Sequence, residues 1–178
     1  MIFETERLYV TKWKTDDLHA LYELYNDTAI KESIIPQLTI EETRSIFEKQ
    51  LINYSNHFPY GRYFIVEKLS NNFIGLLLFK KDNSKNGVEI GYSLKKNHWK
   101  KGYATEVVKK SINWIFESKG YSFIYAITGS RNEDSKNVLL KCGFLPEENF
   151  TESGEEMNLF GLQKKVFQYY NNIYFPYN

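Results

Sequence analysis

The stretch EIGYSLKKNHWKKGYATEVV, Glu89 to Val108, decides the fold. Val88 to Leu94 reads as a strand, KKNHWKKG as a basic loop, and Ala104, Val107, Val108, Ser111, Ile112 and Ile115 as one stripe of a helix ending near Gly120. Ser122 to Thr128 reads as a second strand. Strand, helix and strand in this order form a βαβ crossover, which makes the two strands parallel and the connection right-handed.

Working toward the N-terminus, the turns at Ser70–Asn72 and Asp82–Asn86 separate Tyr63–Lys68, Phe73–Lys80 and Val88–Leu94 into a three-strand antiparallel meander. Ahead of it, Arg7–Trp13 alternates as a strand. Thr15 is the expected cap of a helix with the stripe Leu18, Leu21, Tyr22 and Tyr25. A second helix opens at Thr39, where Thr39 and Glu42 make a capping box, and runs to about Asn53. Toward the C-terminus, Ser135–Cys142 is a short helix closed by Gly143. Phe144 opens an extended stretch, and Met157–Tyr170 reads as a last strand. The fold class is thus α/β (α+β) in the order β-α-α-β-β-β-α-β-α-β-β, a mixed, mostly antiparallel sheet flanked by helices.

The chain has 178 residues, which fits one domain. Its net charge of +1 excludes a globally basic nucleic-acid coat. A single cysteine, Cys142, excludes a disulfide framework and a multi-cysteine metal site, and its place beside Gly143 suits a buried packing role. No apolar run approaches the ~20 residues of a membrane span, and Glu4 and Glu6 interrupt any signal-peptide pattern, so the cytoplasm is the default compartment. Aromatic residues are abundant at 17%, with Phe167, Tyr169, Tyr170, Tyr174, Phe175 and Tyr177 gathered in a tail.

The basic loop is where chemistry concentrates. Gly102 stands just before a helix whose first N–H groups lack intrahelical partners, and such a helix start attracts anions. Lys95, Lys96, Lys100, Lys101, Lys109 and Lys110 are offset in this window only by Glu106, so a phosphorylated ligand is the natural reading; a solvated lysine face is the plain alternative. Neither G-x-x-x-x-G-K-[ST] nor G-x-G-x-x-G is present, which argues against a P-loop and a dinucleotide fold. His98 and Trp99 between lysine pairs also fit stacking on single-stranded RNA, although nucleic acid is the weaker option.

WKKGYATEVV resembles the acetyl-CoA pyrophosphate loop of the GNAT superfamily of N-acetyltransferases, Q/R-x-x-G-x-G/A, with Gly102 and Ala104 in the small-residue positions and Trp99 in place of Gln or Arg. Asn132, Ser135, Val138, Lys141, Gly143 and Phe144 fit the signature of the helix that flanks the cofactor. TERLYVTKW is similar to the opening strand of the ribosomal-protein N-terminal (Rim-type) subgroup. Two departures stand out: Lys100 where many members carry Gly, and Leu139 where many carry a tyrosine general acid.

The resemblance implies a single N-acetyltransferase domain over 1–166, with 167–178 as an aromatic tail that packs on the domain or forms an interface, such as that of a homodimer. It implies transfer of an acetyl group from acetyl-CoA to a primary amine in a ternary complex, without a metal. Tyr92, Ser93, Leu94, Trp99, Lys100, Lys101, Gly102, Tyr103, Ala104, Thr105, Asn132, Ser135 and Lys141 are the implied cofactor-binding residues. Glu89 is the candidate general base; a structural pair with a neighbouring lysine is its other reading. Ser135 either protonates the leaving thiolate, directly or through water, or caps the helix N-terminus or bonds the cofactor arm without proton transfer. Glu147, Glu148 and Glu152 lie in an acid-only loop, Glu147–Glu156, that suits a cationic acceptor; a solvated acidic loop is the plain alternative. The subgroup resemblance makes a protein N-terminal amine the leading acceptor, with a small molecule such as a polyamine or aminoglycoside as runner-up. A cofactor-sensing or RNA-binding module without catalysis is the alternative of another class.

Overall fold

The computed structural model describes residues 1–30, 38–82, 87–118 and 120–174, with side chains up to 169. It contains the strands β1 (Phe3–Glu4), β2 (Leu8–Thr11), β3 (Gly61–Glu67), β4 (Asn72–Asp82), β5 (Gly87–Leu94), β6 (Phe123–Gly129), β7 (Leu145–Glu152) and β8 (Glu155–Gln163). With them run the helices α1 (Leu18–Tyr25), α2 (Ile40–Asn56), α3 (Tyr103–Ser118), α4 (Glu133–Lys141) and α5 (Lys164–Tyr174). Asn83–Asn86 of the expected meander turn, and Phe175 and Tyr177 of the tail, lie outside the described residues, as do the side chains of Tyr170 and Tyr174. The chain forms two compact units, 1–79 with 91–110, and 80–90 with 111–178.

In the first unit the strand order is β1-β2-β3-β4-β5, with antiparallel pairs from β1 to β4. Thr39 caps α2 as its sequence predicts: its hydroxyl accepts from the Glu42 N–H at 3.2 Å, and the Glu42 carboxylate accepts from the Thr39 N–H at 2.8 Å. Thr15, in contrast, is not a cap. It opens a 3-10 turn, Thr15–Asp17, in which the Asp17 carboxylate accepts from the Lys14 N–H at 2.7 Å, and α1 begins only at Leu18. Much of the aromatic excess is core here. Trp13 stacks on Phe47 with centroids 5.8 Å apart and leans on Phe64 at 5.6 Å, while Tyr54 stacks on Tyr63 at 5.4 Å.

In the second unit the order is β5-β6-β8-β7, with β5 and β6 parallel and the others antiparallel, so the fold is the expected mixed, mostly antiparallel one. Ile112, Ile115, Phe116, Ile124, Ala126, Leu139, Phe144 and Phe160 are buried, and so is Cys142. At the end of α4, Gly143 adopts φ +88° and the Phe144 N–H returns to the Leu139 carbonyl at 3.1 Å, the left-handed cap that the glycine predicts.

Two expectations are corrected in this unit. The extended stretch proposed for Met157–Tyr170 stops at Gln163, and Lys164 turns the chain into α5. Val166 and Phe167 are half-buried while Lys165, Gln168 and Tyr169 are exposed, a two-in, two-out rhythm that suits a helix and not a strand. Phe167 meets Phe116 at 5.5 Å. The Glu147–Glu156 segment is a β7–β8 hairpin and not a loop; its turn, Ser153–Gly154, uses two positive-φ residues.

Candidate active site

In the first unit, β5 ends at Leu94 and a 3-10 turn, Lys96–His98, leads into the basic loop. The Trp99 indole N–H donates to the Leu94 carbonyl at 2.7 Å, which closes the loop's start on the strand end. Lys100 then takes φ +57° and Gly102 φ +83°, so the backbone turns twice through the left-handed region before α3 begins at Tyr103. Such a conformation is the reason glycine suits Lys100's position in the resembling family. The Glu106 N–H bonds the Gly102 carbonyl at 3.0 Å and starts the helical ladder. Tyr92, Ser93, Leu94, Trp99, Lys100, Lys101, Gly102, Tyr103, Ala104 and Thr105 therefore fall on one continuous strand end, loop and helix start.

The side of this loop toward the N-terminus carries residues that sequence reasoning passed over. Arg7 donates from Nη1 to the Lys101 carbonyl at 2.9 Å and from Nε to Glu106 Oε2 at 2.7 Å. The Thr5 hydroxyl reaches Glu106 Oε1 at 2.5 Å, and the Arg7 N–H reaches the same oxygen at 2.9 Å. Burial alone would raise the Glu106 carboxyl, but these bonds from Thr5 and Arg7 prevail and hold it below the ordinary range. Glu106 is thus engaged by Arg7 and Thr5. A sequence separation of 99 residues conceals that pairing.

Beyond His98 lies a cavity of about 320 Å³, with Glu23, Asn72 and Lys95 among its walls. Burial lowers the His98 imidazole from its ordinary value, and the nearby Lys101 and Lys95 act in the same sense against Glu67. The His98 ring lies 6.3 Å from that of Tyr103, whose hydroxyl donates to Glu67 at 2.6 Å.

In the second unit, the parallel ladder of β5 and β6 runs over Gly87↔Phe123, Val88↔Ile124 and Glu89↔Tyr125 and ends there. Glu89 Oε2 accepts from the Tyr125 hydroxyl at 3.3 Å and pairs with Lys80 at 3.2 Å. The lysine pair raised as the plain reading of Glu89 exists, and Tyr125 is a partner that sequence spacing did not disclose. Burial first, then the charges of Glu89 and Asp82, push the Tyr125 hydroxyl well above its ordinary value, which keeps it a proton donor.

Asn132 caps α4, its side-chain oxygen accepting from the Ser135 N–H at 3.0 Å. Ser135 is therefore the third helical residue and not the cap, and Lys141 is exposed in the last turn. Glu147, Glu148 and Glu152 are exposed on β7. Glu147 occupies the bulge against β8 and lies over Gly161, where an added Cβ would meet its carboxylate at 2.1 Å. Among the described residues no group of three or more His, Cys, Asp and Glu is placed to hold a metal, and no helix is long and apolar enough to cross a membrane.

The sequence matches the family described as acetyltransferase (GNAT) domain over residues 7–145. The uncharacterised N-acetyltransferase p20 of Bacillus licheniformis is 32% identical over 147 residues, covering 80% of this chain and 82% of that protein. Among solved structures, ribosomal-protein-S5-alanine acetyltransferase from Vibrio fischeri aligns with a TM-score of 0.77 at 21% identity, over 90% of this chain and 95% of that one. Microcin C7 self immunity acetyltransferase MccE, in complex with acetyl-CoA and AMP, aligns with a TM-score of 0.77 at 22% identity, over 89% and 93%. The mixed sheet with its βαβ crossover and flanking helices is that of an α/β protein. Within that class the chain belongs to the GNAT acetyltransferase family, and it is an N-acetyltransferase.

Proposed function

We propose that the enzyme moves an acetyl group from acetyl-CoA to a primary amine by direct transfer in a ternary complex, with a protein N-terminal amine as acceptor. One observation carries the cofactor: the loop passes through Lys100 and Gly102 in the left-handed region straight into the start of α3. Backbone of this kind aims N–H groups at a concave anion site, and the helix adds the positive end of its dipole. Trp99, Lys100, Lys101, Gly102, Tyr103, Ala104 and Thr105 hold the diphosphate in this reading. Tyr92, Ser93 and Leu94 are the pantetheine-arm residues of this reading, and Asn132, Ser135 and Lys141 are the cofactor residues that the resemblance implies at α4. The cofactor supplies the activated thioester.

Glu89 accepts the proton of the incoming amine, directly or through water, while Tyr125 and Lys80 fix its carboxylate. Binding and orientation of the two reactants provide much of the acceleration. Ser135 offers a hydroxyl to the departing thiolate.

The similarity to a ribosomal-protein alanine acetyltransferase and the TERL opening support a protein N-terminus. A cationic small molecule is the second reading, favoured by the exposed acids of the hairpin. Thiol release from acetyl-CoA, measured with N-terminal peptides, spermidine and an aminoglycoside, tests both. Turnover on peptides supports the first reading and turnover on the small amines alone supports the second, whereas no release with any acceptor overturns both.

A further inference from the structure

We infer that Arg7 is a positioning residue of the basic loop: its guanidinium orients the Lys101–Gly102 peptide so that the Gly102 N–H is aimed at the cofactor diphosphate. The inference rests on the acetyl-CoA reading above and concerns how the loop is held in shape.

Arg7 Nη1 donates to the Lys101 carbonyl at 2.9 Å. In a trans peptide the carbonyl and the following N–H point to opposite sides of the chain, so a carbonyl turned toward Arg7 sends the Gly102 N–H away from it. The guanidinium is itself immobilised. Nε and Nη2 both contact Glu106 Oε2, at 2.7 and 2.6 Å, and the guanidinium carbon stands 4.4 Å from the centre of the Tyr103 ring. Tyr103 is anchored in turn through its hydroxyl to Glu67. Thr5 adds a bond to Glu106, so three residues from the TERL segment and β3 grip the first turn of α3.

The same geometry separates orientation from direct binding. The Arg7 charge is matched by Glu106, and its fork is occupied by a carboxylate and a carbonyl, so its contribution to a phosphate passes through the peptide. Gly102 is part of the arrangement: at φ +83°, a Cβ there would stand 3.3 Å from Arg7 Nη2. A lysine cannot substitute, because a point charge lacks the fork that spans the two acceptors.

The test compares the affinities of the full chain for CoA and for pantetheine, which lacks the diphosphate, by calorimetry. Arg7→Met should weaken CoA about tenfold, a change of the size expected for a charge-assisted bond, and leave pantetheine within about twofold. Arg7→Lys, which keeps the charge beside Glu106, should show the same selective loss. Equal weakening of both ligands, or unchanged discrimination in either folded variant, overturns the inference and leaves the cofactor reading standing. A wild-type chain without affinity for CoA overturns both.

Discussion

Glu89 and Tyr125 face each other at the last rung of the parallel β5–β6 ladder, and the tyrosine hydroxyl donates to the carboxylate at 3.3 Å. Lys80 approaches the same oxygen at 3.2 Å, and the Glu89 side chain retains 15% exposure, enough to meet water or an amine. Two donors from neighbouring strands restrict the carboxylate to one orientation, which is what a general base requires. Glu89→Gln should lower kcat by about 10²–10³-fold with little change in the KM for acetyl-CoA. Tyr125→Phe, which removes only the positioning bond, should cost about tenfold or less. Full kcat in Glu89→Gln would remove Glu89 from the mechanism.

Glu106 sets an acid limit on the fold. Its carboxyl is depressed in the folded chain, so the stability it contributes is present above the unfolded value, about 4.3, and is lost as pH falls through the lower folded value. Urea denaturation followed from pH 6 downward should show a shallower acid decline in Glu106→Gln than in the wild type. A parallel decline in the two proteins would show that the Arg7 and Thr5 bonds carry no net linkage.

Legibility in the sequence followed the range of the interaction. The capping box of Thr39 and Glu42 and the glycine cap at Gly143 rest on residues within a few positions of each other, so local chemistry states them in full. The parallel pairing of β5 and β6 was readable because a helix must intervene. What was hidden depended on distant partners: Glu106 with Arg7, 99 residues away, and Glu89 with Tyr125, 36 away. The start of α5 was misread for another reason. Val166, Phe167 and Tyr169 are residue types favoured in strands, and their two-in, two-out exposure appears only once Phe167 has found Phe116.

Buried tyrosines set the alkaline limit. Burial is the largest cause raising the hydroxyls of Tyr54, Tyr63 and Tyr125, so their contribution is complete below the ordinary tyrosine value, about 10, and declines as pH rises toward the folded values. Tyr63 donates to the Pro59 carbonyl at 2.7 Å. Tyr63→Phe should therefore lose about 1 kcal/mol at neutral pH, one buried hydrogen bond, and fall less steeply above pH 10. An unchanged alkaline slope would assign that limit to other groups.

Gly75 of β4 lies tightly against the end of β5. An added Cβ would stand 2.2 Å from the Ser93 carbonyl oxygen and 2.6 Å from Leu94 Cδ2, and backbone cannot yield there as a long side chain can. Gly75→Ala should cost about 1–3 kcal/mol and raise the KM for acetyl-CoA, because Ser93 and Leu94 are displaced with it. At Gly91 the nearest atom, Leu78 Cβ, is 3.4 Å away, so Gly91→Ala should stay within about 1 kcal/mol of the parent. Equal losses at both positions would show that the Ser93 contact is not decisive, since the entropy change of Gly→Ala favours the folded strand.

The acceptor question turns on the β7–β8 hairpin. Glu147, Glu148, Glu152, Glu155 and Glu156 are exposed; Glu147 folds over Gly161, and Glu156 accepts from the Ser130 hydroxyl at 3.5 Å. Exposed charges act through their summed field, which draws cations and weakens with salt. Replacing Glu148, Glu152, Glu155 and Glu156 by Gln leaves Glu147 and its bulge intact. If small cationic amines are acceptors, the variant should show a KM for spermidine raised about tenfold at low salt, a difference that shrinks above about 0.5 M salt, with the KM for acetyl-CoA unmoved. If the acceptor is a protein N-terminus read by its backbone and first side chain, peptide KM should change by less than about twofold with a neutral peptide. A spermidine KM that ignores both the substitutions and the salt would take the hairpin out of acceptor recognition, and the acid-only stretch would then be a solvated strand edge that resists pairing with other chains.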